Sequence, residues 1–210
     1  MKLTVFGATG GVGSEVVEQA LAAGHHVTAV VRDPSRLTAE GDLLEVVVAE
    51  LSEHGALTEA VSGRDAVISA LGARARRPTT VVTDGAHAAL AALRSAGGRR
   101  LLLVSASGPF TDGDTFFTRT VVKPILGRVL RHAFADMVAA ERVVRASDVD
   151  WTIVRPPRLL NGAHTGAIAA RTDGNVRGSY RINRADVADY LLRAAADDSL
   201  IRQTVSIAQG

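Results

Sequence analysis

K-L-T-V-F-G-A-T-G-G-V-G, residues 2–13, running straight into Ser14-Glu15-Val16-Val17, decides the fold. Leu3, Val5 and Phe6 read as a short buried strand. Gly7, Gly10 and Gly13 follow at three-residue spacing. Val12, Val16, Val17, Ala20 and Leu21 then mark the apolar face of a helix that opens at once. A strand that turns through glycines into a helix points several backbone N–H groups, and the positive end of the helix dipole, at one spot. That spot suits a pyrophosphate. Gly7 lets the chain turn, Gly10 holds no side chain against the ligand, and Gly13 lets helix and strand pack closely.

Downstream, strand and helix signals alternate without repeats, composition breaks or long linkers. His25–Val31 reads as a second strand after Gly24, and Leu44–Ala49 as a third, with a short helix around Leu57–Val61. Asp65–Leu71 is the fourth strand and ends in Gly72. Thr80–Ala96 is a long Ala-rich helix closed by Gly97-Gly98, and Arg100–Ser105 is a fifth strand whose continuous apolar run predicts burial on both faces. Phe116–Ser147 reads as helix, bent or broken at Pro124. Trp151–Arg155 is the sixth strand. A polar, Gly-rich segment runs to Tyr180, followed by a helix over Arg184–Ala196 and a last strand near Thr204–Ile207. The alternation predicts one α/β domain over 1–210, a Rossmann-type doubly wound parallel sheet, with about 156–200 forming the substrate pocket.

Composition narrows the chemistry. The 210 residues include 47 % apolar and 22 % charged positions, with a net charge of +2. No cysteine is present, which removes disulfide and thiolate chemistry. No apolar run approaches a membrane span, and the chain opens on a strand rather than a leader, so a cytoplasmic location is expected. Lys2 and Lys123 are the only lysines among 24 basic residues, so arginine is common here and each one needs supporting context. Aromatics make up 4 % and form no basic, stacking stripe, so no nucleic-acid partner is expected. Six histidines without cysteine or close spacing point to no metal site. His132 and Asp136, four apart, read as a surface pair, and His164 as a residue that could face the pocket. No G-x-S-x-G elbow or G-x-x-x-x-G-K-[ST] loop occurs.

Where the second strand ends, a carboxylate favours NAD and an arginine admits the 2′-phosphate of NADP. Arg32 sits there, 19 residues past Gly13, with Ser35 and Arg36 able to complete an anion cup. Ser105-Ala106-Ser107-Gly108 follows the carboxyl end of the fifth strand, where such sheets place their ligands.

G-A-T-G-G-V-G (7–13), V-R-D-P-S-R-L (31–37), D-A-V-I-S-A-L-G (65–72), L-L-L-V-S-A-S-G (101–108) and D-W-T-I-V-R-P-P-R-L (150–159) resemble the atypical short-chain dehydrogenase/reductases, and R-P-T-T-V-V-T-D-G-A (77–86) favours their biliverdin/flavin reductase side. The nearer likeness is to the biliverdin-IXβ reductase/flavin reductase group and the NmrA-like NAD(P)-binding proteins. The resemblance implies NADPH laid along Gly7, Thr9, Gly10, Gly11, Val12 and Gly13, with its 2′-phosphate at Arg32, Ser35 and Arg36 and its adenine near Glu50 and Leu51. Its ribose and nicotinamide half would pass Leu71, Gly72, Arg74, Ser105, Pro156 and Pro157.

Two departures bear on the chemistry. The superfamily's acid is a Tyr-x-x-x-Lys pair, yet four residues beyond Tyr180 and Tyr190 stand Arg184 and Ala194. After the Pro-Pro pair the flavin reductase group has a histidine, and here the residue is Arg158. An arginine is a poor proton donor but grips carboxylates and phosphates well. The expectation is an NADPH-dependent oxidoreductase passing hydride to a planar conjugated acceptor such as a flavin, tetrapyrrole or quinone, with Ser107 and Arg158 at the reacting end. With Arg158 there, the expected preference is for anionic acceptors. The competing class is a non-catalytic NADP(H)-sensing regulator of the NmrA-like kind. Either would be a monomer or a weak homodimer.

Overall fold

The computed structural model describes residues 1–73, 78–112 and 130–210. β1 (Lys2–Phe6), α1 (Gly11–Ala22), β2 (His26–Val31), β3 (Leu44–Val48), α2 (His54–Val61), β4 (Ala66–Ser69), α3 (Val81–Ala96) and β5 (Arg100–Val104) appear in the order the sequence predicts. After α4 (Arg131–Arg145) come β6 (Asp150–Arg155), β7 (Arg158–Leu160), β8 (Ile168–Arg171), β9 (Arg181–Asn183), α5 (Arg184–Ala195) and β10 (Gln203–Gln209). The first part of the expected 116–147 helix, with Pro124, lies outside the described residues.

The main sheet has the order β3-β2-β1-β4-β5-β6-β10-β8. Every pairing in it is parallel except β10 with β8. The expected parallel sheet therefore carries one antiparallel edge strand, drawn from the segment that reads as irregular. That segment also supplies β7 and β9, which pair in parallel as a separate two-stranded sheet. These strands are three or four residues long, too short for an alternating pattern to register in sequence.

The pleat explains the continuous apolar runs. In β1, Leu3 and Val5 join one hydrophobic cluster with α1 and α5, while Phe6 joins a second with α2, α3 and α4. In β5, Leu102 and Val104 face the first cluster, Leu101 and Leu103 the second. Successive strand side chains point to opposite faces, so a sheet covered on both sides takes mostly apolar residues at successive positions. The Leu101, Leu102 and Leu103 side chains are fully buried, each worth about 1.5–3 kcal/mol relative to exposure.

Asp136 corrects a sequence expectation. It is buried, and its carboxylate accepts from the Val82 and Thr83 amides at 3.0 and 2.9 Å and from Thr83 Oγ1 at 2.6 Å. It caps α3 from the neighbouring helix, supplying the acceptors that Thr80 at the N-cap does not. His132 instead lies beside Arg131 Nε, 3.1 Å away.

Candidate functional site

The strand order reverses between β1 and β4, and the glycine turn stands at the carboxyl end of that seam. Gly7 has φ +79°, and a Cβ on it would lie 2.8 Å from the Ala70 carbonyl oxygen at the end of β4. A Cβ on Gly13 would overlap the Gly7 carbonyl itself. The turn is closed by the Gly10 amide donating to the Gly7 carbonyl at 2.8 Å. Gly10 caps α1 with no side-chain hydrogen bond, and the first turn of the helix holds no acidic residue. The helix end therefore keeps its positive polarisation for a ligand. The backbone thus fits the pyrophosphate cradle expected of residues 7–13.

A cleft of 1190 Å³ opens beside this cradle. Gly7, Thr9 and Gly10 line it, as do Arg32, Glu50, Leu51, Leu71 and Gly72, so eight of the expected contacts share one concavity. Sequence reasoning missed its other wall. Thr79, Thr80, Asp84, His87 and Arg94 line the cleft from the α3 side, and Ser52 and His54 continue the wall beside Glu50 and Leu51. Position along a helix, rather than any motif, brings His87 and Arg94 there.

Past the end of β2 Arg32 reaches the cleft, while Ser35 and Arg36 do not line it. The Ser35 amide and Oγ both donate to Asp33 Oδ1, at 3.1 and 2.6 Å, capping the short turn at Pro34–Arg36. Arg36 is exposed on that turn. Of the three residues of the expected anion cup, Arg32 alone lines the cleft, and the neighbouring Asp33 carboxylate is engaged by Ser35.

Toward the other end the expected residues divide. Arg74 lies outside the described residues. Ser105 is buried, and its Oγ donates to Glu141 Oε1 at 2.7 Å rather than lining the cleft. Glu141, only 2 % exposed, also takes Arg155 Nε at 2.8 Å, Arg155 Nη2 at 2.6 Å and Arg145 Nη2 at 3.2 Å. The Arg155 guanidinium lies 3.2 Å from the centroid of the Phe110 ring. This polar knot fastens the carboxyl ends of β5 and β6 to α4. Nothing in the sequence marks it, because Glu141 looks like any helical acid.

Ser107 and Pro157 meet in a small hollow of 30 Å³ with Asn175 and Tyr180. The Ser107 amide donates to the Pro156 carbonyl at 2.9 Å, which couples the two loops. Pro156 itself is buried. Asn175 ties the region together: its side-chain amide donates to the Phe110 carbonyl at 2.7 Å and its backbone amide to that of Asp112 at 2.7 Å. Arg158 opens β7 with an exposed side chain, and its amide donates to the Tyr180 carbonyl at 3.2 Å. It lines neither the cleft nor the hollow. Tyr190 stands apart on α5, where burial pushes its phenol above the ordinary range, against use as a phenolate. His164 Nε2 lies 3.3 Å from Asp189 Oδ2 and lines neither concavity.

Among the described residues, no three His, Asp or Glu side chains cluster to hold a metal ion. No described helix is long and apolar enough to cross a membrane.

Residues 7–198 match the model of a family described as NAD(P)H-binding. A relative from Streptomyces griseus, (4-alkanoyl-5-oxo-2,5-dihydrofuran-3-yl)methyl phosphate reductase, is 33 % identical over 179 residues, covering 85 % of this chain and 55 % of that protein. A candidate NADH-flavin reductase from Streptococcus pneumoniae superposes with a TM-score of 0.80 at 26 % identity, with full coverage of both chains. A short-chain dehydrogenase/reductase from Veillonella parvula, solved with NADP, gives a TM-score of 0.83 at 18 % identity, covering 99 % of this chain and 94 % of that one.

Proposed function

The chain belongs to the NAD(P)H-binding family, and we propose that it is an NADPH-dependent reductase of planar, conjugated, anionic acceptors. The observation that carries this is the cleft at the β1/β4 switch point, with the glycine cradle in its floor and Arg32 at its adenosine end. The bound cofactor supplies a hydride. The protein's own residues hold it, exclude water and orient the acceptor, and for a conjugated ring that positioning carries much of the catalysis. Water delivers the proton. The Streptomyces relative fits this reading, since its name specifies an unsaturated furanone bearing a phosphate.

The absence of a Tyr-x-x-x-Lys pair leads to an expected null result. Tyr180 shares the small hollow with Ser107, and the residue four positions on is Arg184. Tyr180→Phe and Tyr190→Phe should each change kcat by less than about threefold, because a true general acid contributes roughly 10²–10⁴-fold. A hundredfold loss in Tyr180→Phe would make that phenol the acid and overturn the reading.

Acceptor charge is tested at Arg158. Its side chain is exposed, its backbone amide is bonded to the carbonyl of Tyr180, which lines the hollow, and no carboxylate pairs with it among the described residues. Such a group can grip a phosphate and orient the ring above the cofactor. Arg158→Ala should raise KM for FMN and lower the FMN-to-riboflavin ratio of kcat/KM about tenfold, with NADPH affinity unchanged. An unchanged ratio in steady-state kinetics defeats the anion preference.

A further inference from the structure

Gly11 is not one of the three glycines the turn requires, and a side chain there would meet the present position of one residue, Arg184. A Cβ on Gly11 would lie 2.5 Å from Nε and 2.7 Å from Cδ of Arg184. That arginine arrives from the far end of the sequence as the first residue of α5. Its Nη1 donates to Asn161 Oδ1, in the loop after β7. The side chain is half-buried and lies across the first residue of α1.

The placement is electrostatically unfavourable as it stands. A guanidinium is permanently charged, and cations are favoured at helix C-termini, not N-termini. Arg184 lies at the N-terminal ends of both α1 and α5. The first turn of α1 holds no acid, and its N-cap is a glycine. The first turn of α5 holds Asp186, but that carboxylate accepts from the Thr165 amide, the Gly166 amide and Thr165 Oγ1 at 2.7, 2.9 and 3.0 Å. No carboxylate pairs with Arg184 among the described residues. Two helix ends and a cation converge on one place with no negative charge between them.

We propose that Arg184 is a binding residue for the cofactor's pyrophosphate, completing from the C-terminal segment an anion site whose other half is the first turn of α1. Gly11 is then glycine to admit the arginine rather than to admit the dinucleotide. The inference rests on the cofactor running along residues 7–13. It extends the cofactor site from Pro156 and Pro157, where the sequence already places it, to Arg184 at the start of α5.

Three ligands separate this site from the adenosine end: NADPH, adenosine 2′,5′-bisphosphate, which carries a phosphate for the cradle, and adenosine 2′-monophosphate, which carries none. By titration calorimetry, Arg184→Ala should weaken NADPH and the bisphosphate about tenfold and leave the monophosphate within about twofold. Arg184→Lys should recover part of the loss, since charge is kept and the planar fork is not. Gly11→Ala should weaken NADPH in the wild-type background and add little in Arg184→Ala. Unchanged bisphosphate affinity in Arg184→Ala overturns the proposal. So does an equal loss for all three ligands, which would mean that the whole site had been disturbed. If the wild type binds none of them, the cofactor reading falls first and this inference with it.

Discussion

Replacing Glu141 with Gln should destabilise the protein by about 3–5 kcal/mol, the usual cost of stranding one partner of a buried ion pair. For a chain of this size that corresponds to a fall in Tm of roughly 6–20 °C. Glu141 is the acceptor for Ser105, Arg155 and Arg145 at once, and it is almost fully buried. Glutamine keeps the shape but loses the charge, and turns an N–H₂ group toward a guanidinium that cannot accept. Arg155 is 9 % exposed, and among the described residues its further side-chain partner is the face of Phe110, so it cannot escape to water. The buried pair need not add net stability: Glu141→Leu with Arg155→Met should recover much of the loss, because an apolar pair of similar volume removes both desolvation costs. Thermal unfolding of the single and double variants checks this. A single variant within about 1 kcal/mol of wild type would show that the knot is not what holds β5 and β6 to α4.

Arg32→Ala should largely abolish the preference for NADPH over NADH. A charge-assisted contact between a guanidinium and the 2′-phosphate is worth about 1.5–3 kcal/mol, or roughly 10- to 150-fold in affinity. Arg32 is the one residue of the expected anion cup that lines the cleft, so the effect should sit on it alone. Arg36→Ala should leave the ratio nearly unchanged. NADH affinity should barely move in either variant, because its ribose carries no phosphate. Dissociation constants for both nucleotides in the wild type and the two variants give the answer. Equal affinities in the wild type would mean that Arg32 faces a solvated turn.

The legible parts of this chain are those where one residue type has one physical use. Gly7 and Gly13 announce the cradle because a Cβ there would run into the Ala70 or Gly7 carbonyl, a demand no other residue meets. The doubly covered sheet shows in Leu101–Leu102–Leu103, since only burial on both faces tolerates such a run. The site is less legible where a common residue serves an uncommon end. Asp136 looks like a surface acid on a helix and caps another helix. Ser105 looks like a ligand hydroxyl at a strand end and is engaged by Glu141. Arg184 stands among many arginines, and only the packing against Gly11 marks it out. Pairings between elements far apart in sequence decide all three, and no local pattern encodes them.

The central claim, hydride transfer from a nicotinamide cofactor held in the β1/β4 cleft, is tested most directly by anaerobic rapid mixing of the NADPH-loaded protein with FMN. Oxidation of NADPH and bleaching of the flavin should proceed together, one for one and far faster than in buffer. Deuterium placed on one face of the reduced nicotinamide should slow both signals equally. Tight NADPH binding with neither signal above the buffer rate would contradict the reductase, and would leave a protein that senses its cofactor without spending it.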